Sequence, residues 1–125
     1  VGLGLEFLRH IERTVFLIFV LDLSMDKDGW PPAKAYAALR QEIGLYRQEI
    51  LRRPHLIVFN KVDLMQDEAE VQRLVSETLS TLDTPVEGSF VISAETGAGV
   101  QPLRESLVEK APVWLDCCQE EVQQT

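Results

Sequence analysis

Apolar runs alternate along this chain with segments whose apolar residues are spaced three and four apart, which predicts strands alternating with helices. The run at residues 15–21 is apolar on both faces and rich in β-branched and aromatic side chains, which is typical of a buried parallel strand. Shorter runs at 56–59 and 90–92 predict a second and a third strand. The sequence therefore indicates an α/β fold with a mostly parallel sheet, in which helices on both faces make a three-layer sandwich.

Four segments carry the apolar spacing of an amphipathic helix. Leu5, Leu8 and Ile11 predict a short first helix, and residues 36–50 predict a longer one that ends before Pro54. Asp67, with Glu70 three residues later, predicts an N-cap and a capping box for the third helix. The last helix is predicted to end at Pro112. Residues 1–112 then make one domain, and residues 113–125 a frayed tail.

Polar residues follow two of the predicted strands at the points where those strands end. Asn60-Lys61-Val62-Asp63 comes directly after the second strand, and Ser93-Ala94-Glu95 follows the third. Carboxyl ends of neighbouring parallel strands meet at one edge of a sheet, where ligands of such folds bind. The two motifs are therefore expected to lie side by side, although a solvated turn is the plain alternative for the first motif alone.

The chemistry of these residues favours recognition of guanine. Asp63 can accept both adjacent donors of the base, its ring N–H and its amino group. Asn60 can reach the acceptor edge, and the methylenes of Lys61 can lie against the ring while the ammonium stays in water. The backbone N–H of Ala94 is predicted to be free to donate to the carbonyl oxygen of guanine. Ser93 belongs to the same second loop.

The motifs, taken with the opening segment, resemble the second half of the G domain in the Obg family of P-loop GTPases. The resemblance covers roughly residues 2–110, and its motifs lie at 2–14, 20–24, 60–64 and 93–97. It implies GTP or GDP as ligand and the large ribosomal subunit or its assembly intermediate as partner. It also implies bacterial cytoplasm or mitochondrial matrix as the location. Glu95 departs from the family, since many GTPases carry Lys or Leu there.

The phosphate-binding signature of these enzymes is absent from the chain. None of the seven glycines fits GxxxxGK[ST], the loop that cradles phosphates at a helix N-terminus. Asp26-Lys27-Asp28-Gly29 matches DxxG but follows the wrong strand, so it is interpreted as a turn. The chain is therefore predicted to lack catalytic and metal-binding residues, with Mg²⁺ expected only beside the missing half of the domain. A truncated module that docks on a ribosome or a protein is the alternative.

Composition and charge bear on RNA binding, membrane insertion and the redox compartment. The net charge of −8 opposes unaided binding to an RNA backbone. Arg47, Arg52 and Arg53 are interpreted as a solvated face because Glu42 and Glu49 are interleaved with them, with RNA contact the alternative. No apolar run approaches the ~20 residues that span a bilayer. Cys117 and Cys118 are adjacent and cannot readily bridge each other, which indicates a reducing compartment. His55 is interpreted as structural, and Trp30 either as a docking residue or as folded onto the sheet edge.

Overall fold

The structure, a computed structural model, describes residues 3–25, 29–82 and 84–124, and from residue 116 onward the backbone alone. Helices and strands alternate through the described residues. In chain order they are α1 (Leu5–Glu12), β1 (Leu17–Asp22), α2 (Pro32–Tyr46), β2 (His55–Asn60), α3 (Glu68–Ser80), β3 (Gly88–Val91) and α4 (Val100–Gln124). Two short 3₁₀ turns, Gln48–Arg52 and Val62–Leu64, precede and follow β2.

The three strands form one parallel sheet in the order β1-β2-β3. Leu17 lies opposite His55 at one end of the first pair, and Asp22 lies opposite Asn60 at the other. Because sequential strands are also neighbours in the sheet, right-handed crossovers put α2 and α3 on one face, where they contact each other. The predicted α/β class with a parallel sheet is confirmed.

Burial shows which strand is central and which lies at an edge. Along β1, Phe19 and Leu21 are buried beneath the helices, whereas Ile18 and Val20 on the opposite face are 40% and 59% exposed. Residues 55–59 of β2 are buried on both faces. The main core therefore lies between the sheet and helices α2 and α3. The face of β1 that carries Ile18 and Val20 is left open.

The predicted carboxyl end of the second helix was wrong. It stops at Tyr46, because Arg47 adopts an extended conformation (φ −154°) before the 3₁₀ turn Gln48–Arg52. Arg47 pairs there with Glu12 of α1 at 2.8 Å, and the turn still buries Ile50 completely. The apolar spacing therefore continued through a segment that changes its backbone geometry.

The predicted end of the last helix at Pro112 was also wrong. The helix runs through Pro112 to Gln124, and fraying of residues 113–125 stays a prediction. Proline removes one backbone donor. Trp114 nevertheless holds the following turn in place, because it is buried and packs on Phe16 with ring centroids 4.4 Å apart.

The N-cap predicted for the third helix is confirmed, but the capping box is not formed. Asp67 is the N-cap, and its carboxylate accepts from the backbone N–H of Ala69 at 3.0 Å. Glu70 was expected to bond back to the N-cap. Its carboxylate instead accepts from Arg73, one turn further along the helix, with Nε at 3.0 Å.

Candidate functional site

Three loops meet at the carboxyl edge of the sheet, and two backbone hydrogen bonds join them. The N–H of Val62 donates to the carbonyl of Ile92 at 3.1 Å, which links the turn after β2 to the loop after β3. The N–H of Leu23 donates to the carbonyl of Asn60 at 3.0 Å, which links the end of β1 to the same turn. The structure therefore brings the two predicted motifs together and adds a third segment to them.

Asn60 and Ala94 contact each other directly. The backbone N–H of Ala94 donates to Oδ1 of Asn60 at 2.9 Å. The expectation that this N–H is free to reach a ligand was therefore wrong, because the side chain that ends β2 already accepts its hydrogen bond. The bond commits Oδ1 of Asn60 and orients its Nδ2 group, which is the part of the amide that can donate elsewhere.

Lys61 adopts the left-handed conformation, with φ +71° and ψ +32°, and leads into the 3₁₀ turn Val62–Leu64. Such a backbone is unfavourable for a residue other than glycine, because Cβ comes close to the following carbonyl oxygen. Its ammonium was expected to lie in water, but Nζ is 3.0 Å from Oδ2 of Asp22. The side chain remains 39% exposed, so its methylenes lie at the surface of the site.

Asp22, the last residue of β1, is a member of the site that sequence reasoning did not single out. Its Oδ1 accepts from the backbone N–H of Ser24 at 2.8 Å and from Oγ of Ser24 at 2.6 Å. Burial favours the neutral acid, but hydrogen bonds from Ser24 and Lys61 outweigh it, so the pKa of Asp22 lies below its ordinary value. The available signal was its position at the carboxyl end of the neighbouring strand, directly opposite Asn60.

Asp63 is exposed on the turn that Lys61 begins. Within the described parts of the chain, no residue donates a hydrogen bond to its carboxylate, so both oxygens face solvent with their acceptor capacity intact. A carboxylate of this kind can take two parallel hydrogen bonds from one planar donor group.

Ser93 has a structural position inside the second loop. It is fully buried, its Oγ accepts from the N–H of Thr96 at 3.0 Å, and its carbonyl accepts from the N–H of Gly97 at 2.8 Å. Its own N–H donates to the carbonyl of Ala98 at 2.9 Å. These bonds close the loop on itself and present Ala94 and Glu95 at its outer side.

The other residues weighed in the sequence lie away from this edge or have local partners. His55 is buried and shares a 2.7 Å hydrogen bond between Nε2 and the hydroxyl of Tyr36, which confirms a structural role. Trp30 is half-buried, with the ammonium of Lys34 4.3 Å from its ring centroid. Residues 26–28 of the DxxG-like segment, and the side chains of Cys117 and Cys118, lie outside what the structure describes.

A cavity of about 1130 Å³ opens at the opposite, amino edge of the sheet. Four arginines line it, and two of them, Arg40 and Arg53, bond to the protein. Arg53 donates to the carbonyls of Ile11 and Glu12 at 2.7 Å each, which caps the carboxyl end of α1. Arg40 donates to the carbonyl of Leu51 at 3.3 Å and to the hydroxyl of Thr84 at 3.1 Å. The carboxyl edge is the better candidate site, because the two sequence motifs converge there.

The described residues include no group of three or more His, Cys, Asp or Glu side chains placed to hold a metal ion. Among the described helices, none combines the length and the apolar character needed to cross a bilayer.

Sequence comparison identifies similar proteins. The chain is 44% identical over 109 residues to the GTPase Obg of Protochlamydia amoebophila and 38% identical over 109 residues to that of Aquifex aeolicus. Over this stretch the chain is similar to the GTPase Obg proteins. Each match covers 87% of this chain but only 31% and 30% of the two relatives, so the chain spans about a third of their length. No protein-family profile matches it.

The fold of the chain also has a counterpart among solved structures. The nucleolar GTP-binding protein 1 of Plasmodium falciparum superposes with a TM-score of 0.55 at 19% identity, covering 98% of this chain and 64% of that one. At that identity the likeness establishes the fold alone. It agrees with part of a G domain.

Proposed function

We propose that this chain is the base-reading part of an Obg-type G domain and binds the guanine of GTP or GDP. The observation that carries the proposal is the convergence of the Asn60–Asp63 turn with the loop at Ser93 and Ala94. A 2.9 Å hydrogen bond between Ala94 and Asn60 and a 3.1 Å bond between Val62 and Ile92 hold the two together.

Each residue has a role that follows from its position. Asp63 accepts hydrogen bonds from the ring N–H and the amino group of guanine, since its carboxylate is exposed and takes no hydrogen bond from a described residue. Asn60 donates through Nδ2 to the acceptor edge of the base, because Oδ1 is held by Ala94. The stem of Lys61 lies against the ring. Ser93 and Ala94 act by fixing the loop and the amide of Asn60.

Such a site selects its base by hydrogen-bond complementarity. Adenine presents no pair of adjacent donors to Asp63, so its binding would leave the carboxylate facing an acceptor and desolvated. Sites built on hydrogen bonds to a particular edge can reject the wrong ligand by as much as ~10⁴-fold.

The proposal assigns no catalytic residue to this chain. Phosphoryl transfer to water depends on a phosphate-binding loop and a metal ion, which position the reactants and neutralise charge. The chain has no GxxxxGK[ST], so the phosphates and Mg²⁺ enter the proposal only with a further half of the domain. A role in assembly of the large ribosomal subunit, in bacterial cytoplasm or mitochondrial matrix, rests on the resemblance to Obg proteins.

Competition binding tests the proposal. The full-length gene product should bind GTP at least a hundredfold more tightly than ATP, and the isolated chain should bind GTP far more weakly, because base contacts alone leave the triphosphate unpaired. A full-length protein that does not distinguish GTP from ATP would favour the docking-module alternative. Micromolar GTP affinity or GTP turnover by the isolated chain would overturn the assignment of phosphate binding to another segment.

A further inference from the structure

The ion pair between Asp22 and Lys61 joins two strands at the edge where the nucleotide site lies. Oδ2 of Asp22 is 3.0 Å from Nζ of Lys61, although the residues are 39 positions apart in sequence. The carboxylate is itself fixed, because the N–H and hydroxyl of Ser24 both donate to Oδ1. One end of the pair is therefore locked to the β1 loop, and the other end is the side chain expected to lie against the base.

The backbone of Lys61 explains why such a restraint is useful. Lys61 is in the left-handed conformation, and the next three residues form the 3₁₀ turn that carries Asp63. A residue in this region of conformational space persists where its surroundings hold it. The pairing of Asp22 with Asn60 in the strand register brings the carboxylate to the start of this turn.

We propose that Asp22 is a positioning residue of the guanine site, which holds the stem of Lys61 over the base plane and fixes the turn that presents Asp63. This inference rests on the proposed function and adds a residue to it. Asp22 acts through Lys61 and makes no contact of its own with the base.

The exposure of the pair indicates the size of the effect. The side chains are 39% and 27% exposed, so the attraction is screened by solvent and contributes little to folding stability. Its contribution is orientation, which reduces the freedom that Lys61 loses when the nucleotide binds. We expect the loss of Asp22 to weaken guanine nucleotide binding about five- to tenfold, mainly through faster dissociation.

A double-mutant cycle in the full-length gene product tests this coupling. GDP dissociation constants and dissociation rates are measured for wild type, Asp22→Asn, Lys61→Met and the double variant. Met keeps an unbranched stem and removes the ammonium. Asp22→Asn should weaken GDP binding five- to tenfold in the wild-type background and less than twofold in the Lys61→Met background. Asp22→Glu should recover part of the affinity.

Controls separate positioning from general damage. Glu12→Gln removes another ion pair, with Arg47, at the opposite edge of the sheet, and it should leave GDP affinity unchanged. If Asp22→Asn does not fold, Ser24→Ala replaces it in the cycle, because it loosens the same carboxylate while keeping its charge.

The outcomes are distinct. An equal loss of affinity in both backgrounds, or no loss in the wild-type background, overturns the role of Asp22 and leaves the guanine site standing. Asp22→Asn should also keep the preference for GTP over xanthosine triphosphate, because Asp63 still reads the base. A full-length protein that binds no guanine nucleotide defeats the proposed function and this inference together.

Discussion

Gly99 occupies the most constrained glycine position in the loop that carries Ser93 and Ala94. Its φ is +73°, and a Cβ placed on it would lie 2.2 Å from the carbonyl oxygen of Val91. That oxygen belongs to the last residue of β3, which pairs with Phe59 of the central strand, so it cannot move without disturbing the sheet. Gly97, in the same loop, also has a positive φ of +86°, but nothing lies within 4 Å of its Cβ position.

The two glycines therefore separate backbone strain from steric overlap. Alanine in a left-handed conformation costs about 1–2 kcal/mol, and this is the whole expected effect of Gly97→Ala. Gly99→Ala adds an overlap with backbone atoms, and forcing extra volume into a packed region costs a further ~1–3 kcal/mol. We expect a loss of about 2–5 kcal/mol for Gly99→Ala, a large share of the ~5–15 kcal/mol that stabilises a typical domain.

Urea unfolding followed by far-ultraviolet circular dichroism measures both variants against wild type in the same protein background. The denaturant slope should stay constant while the midpoint falls, and it should fall further for Gly99→Ala. If the two variants differ by less than about 0.5 kcal/mol, the close approach of Gly99 to Val91 is not a constraint in solution, and the described loop geometry is incorrect.

Two further predictions concern pH and association. Burial, with the nearby charge of Arg40, lowers the pKa of His55 in the folded state. The contribution of His55 to stability is therefore complete above its unfolded-state pKa of about 6.5, and it decreases as pH falls through and below that pKa. Urea midpoints between pH 5 and pH 8 should show this decrease for wild type and a weaker one for His55→Gln. The open side of β1, with Ile18 and Val20 exposed, should make the isolated chain self-associate, and Val20→Lys should reduce this association. A monodisperse wild-type monomer in sedimentation velocity would contradict that expectation.

Strands were predictable because their signal is local. The apolar run at 15–21 predicted β1, which spans Leu17–Asp22, with its end displaced by only one residue at the carboxyl side. The interruption of the second helix at Arg47 was not predictable from spacing, since the apolar spacing continues to Ile50, which is buried in the 3₁₀ turn. Pro112 ends a helix by a local rule, but the distant contact of Trp114 with Phe16 overrides it.

The meeting of the two site motifs followed from one rule about parallel sheets, whereas their detailed contacts did not. Chain order and strand direction suffice to bring Asn60 near Ala94. The hydrogen bond between them, and the ion pair between Asp22 and Lys61, depend on the register of neighbouring strands and on side-chain torsions. These quantities are fixed only by tertiary packing.

Nucleotide preference of Asp63→Asn in the full-length gene product tests the central claim most directly. The substitution sets an amide donor against the amino group of guanine, and an unsatisfied buried pair of this kind should weaken GTP binding by about 2–4 kcal/mol. Xanthine carries a carbonyl at that position, so the variant should prefer xanthosine triphosphate to GTP in competition binding. If the variant keeps the wild-type preference for GTP, Asp63 does not read the base, and the assignment of a guanine site at this edge of the sheet is contradicted.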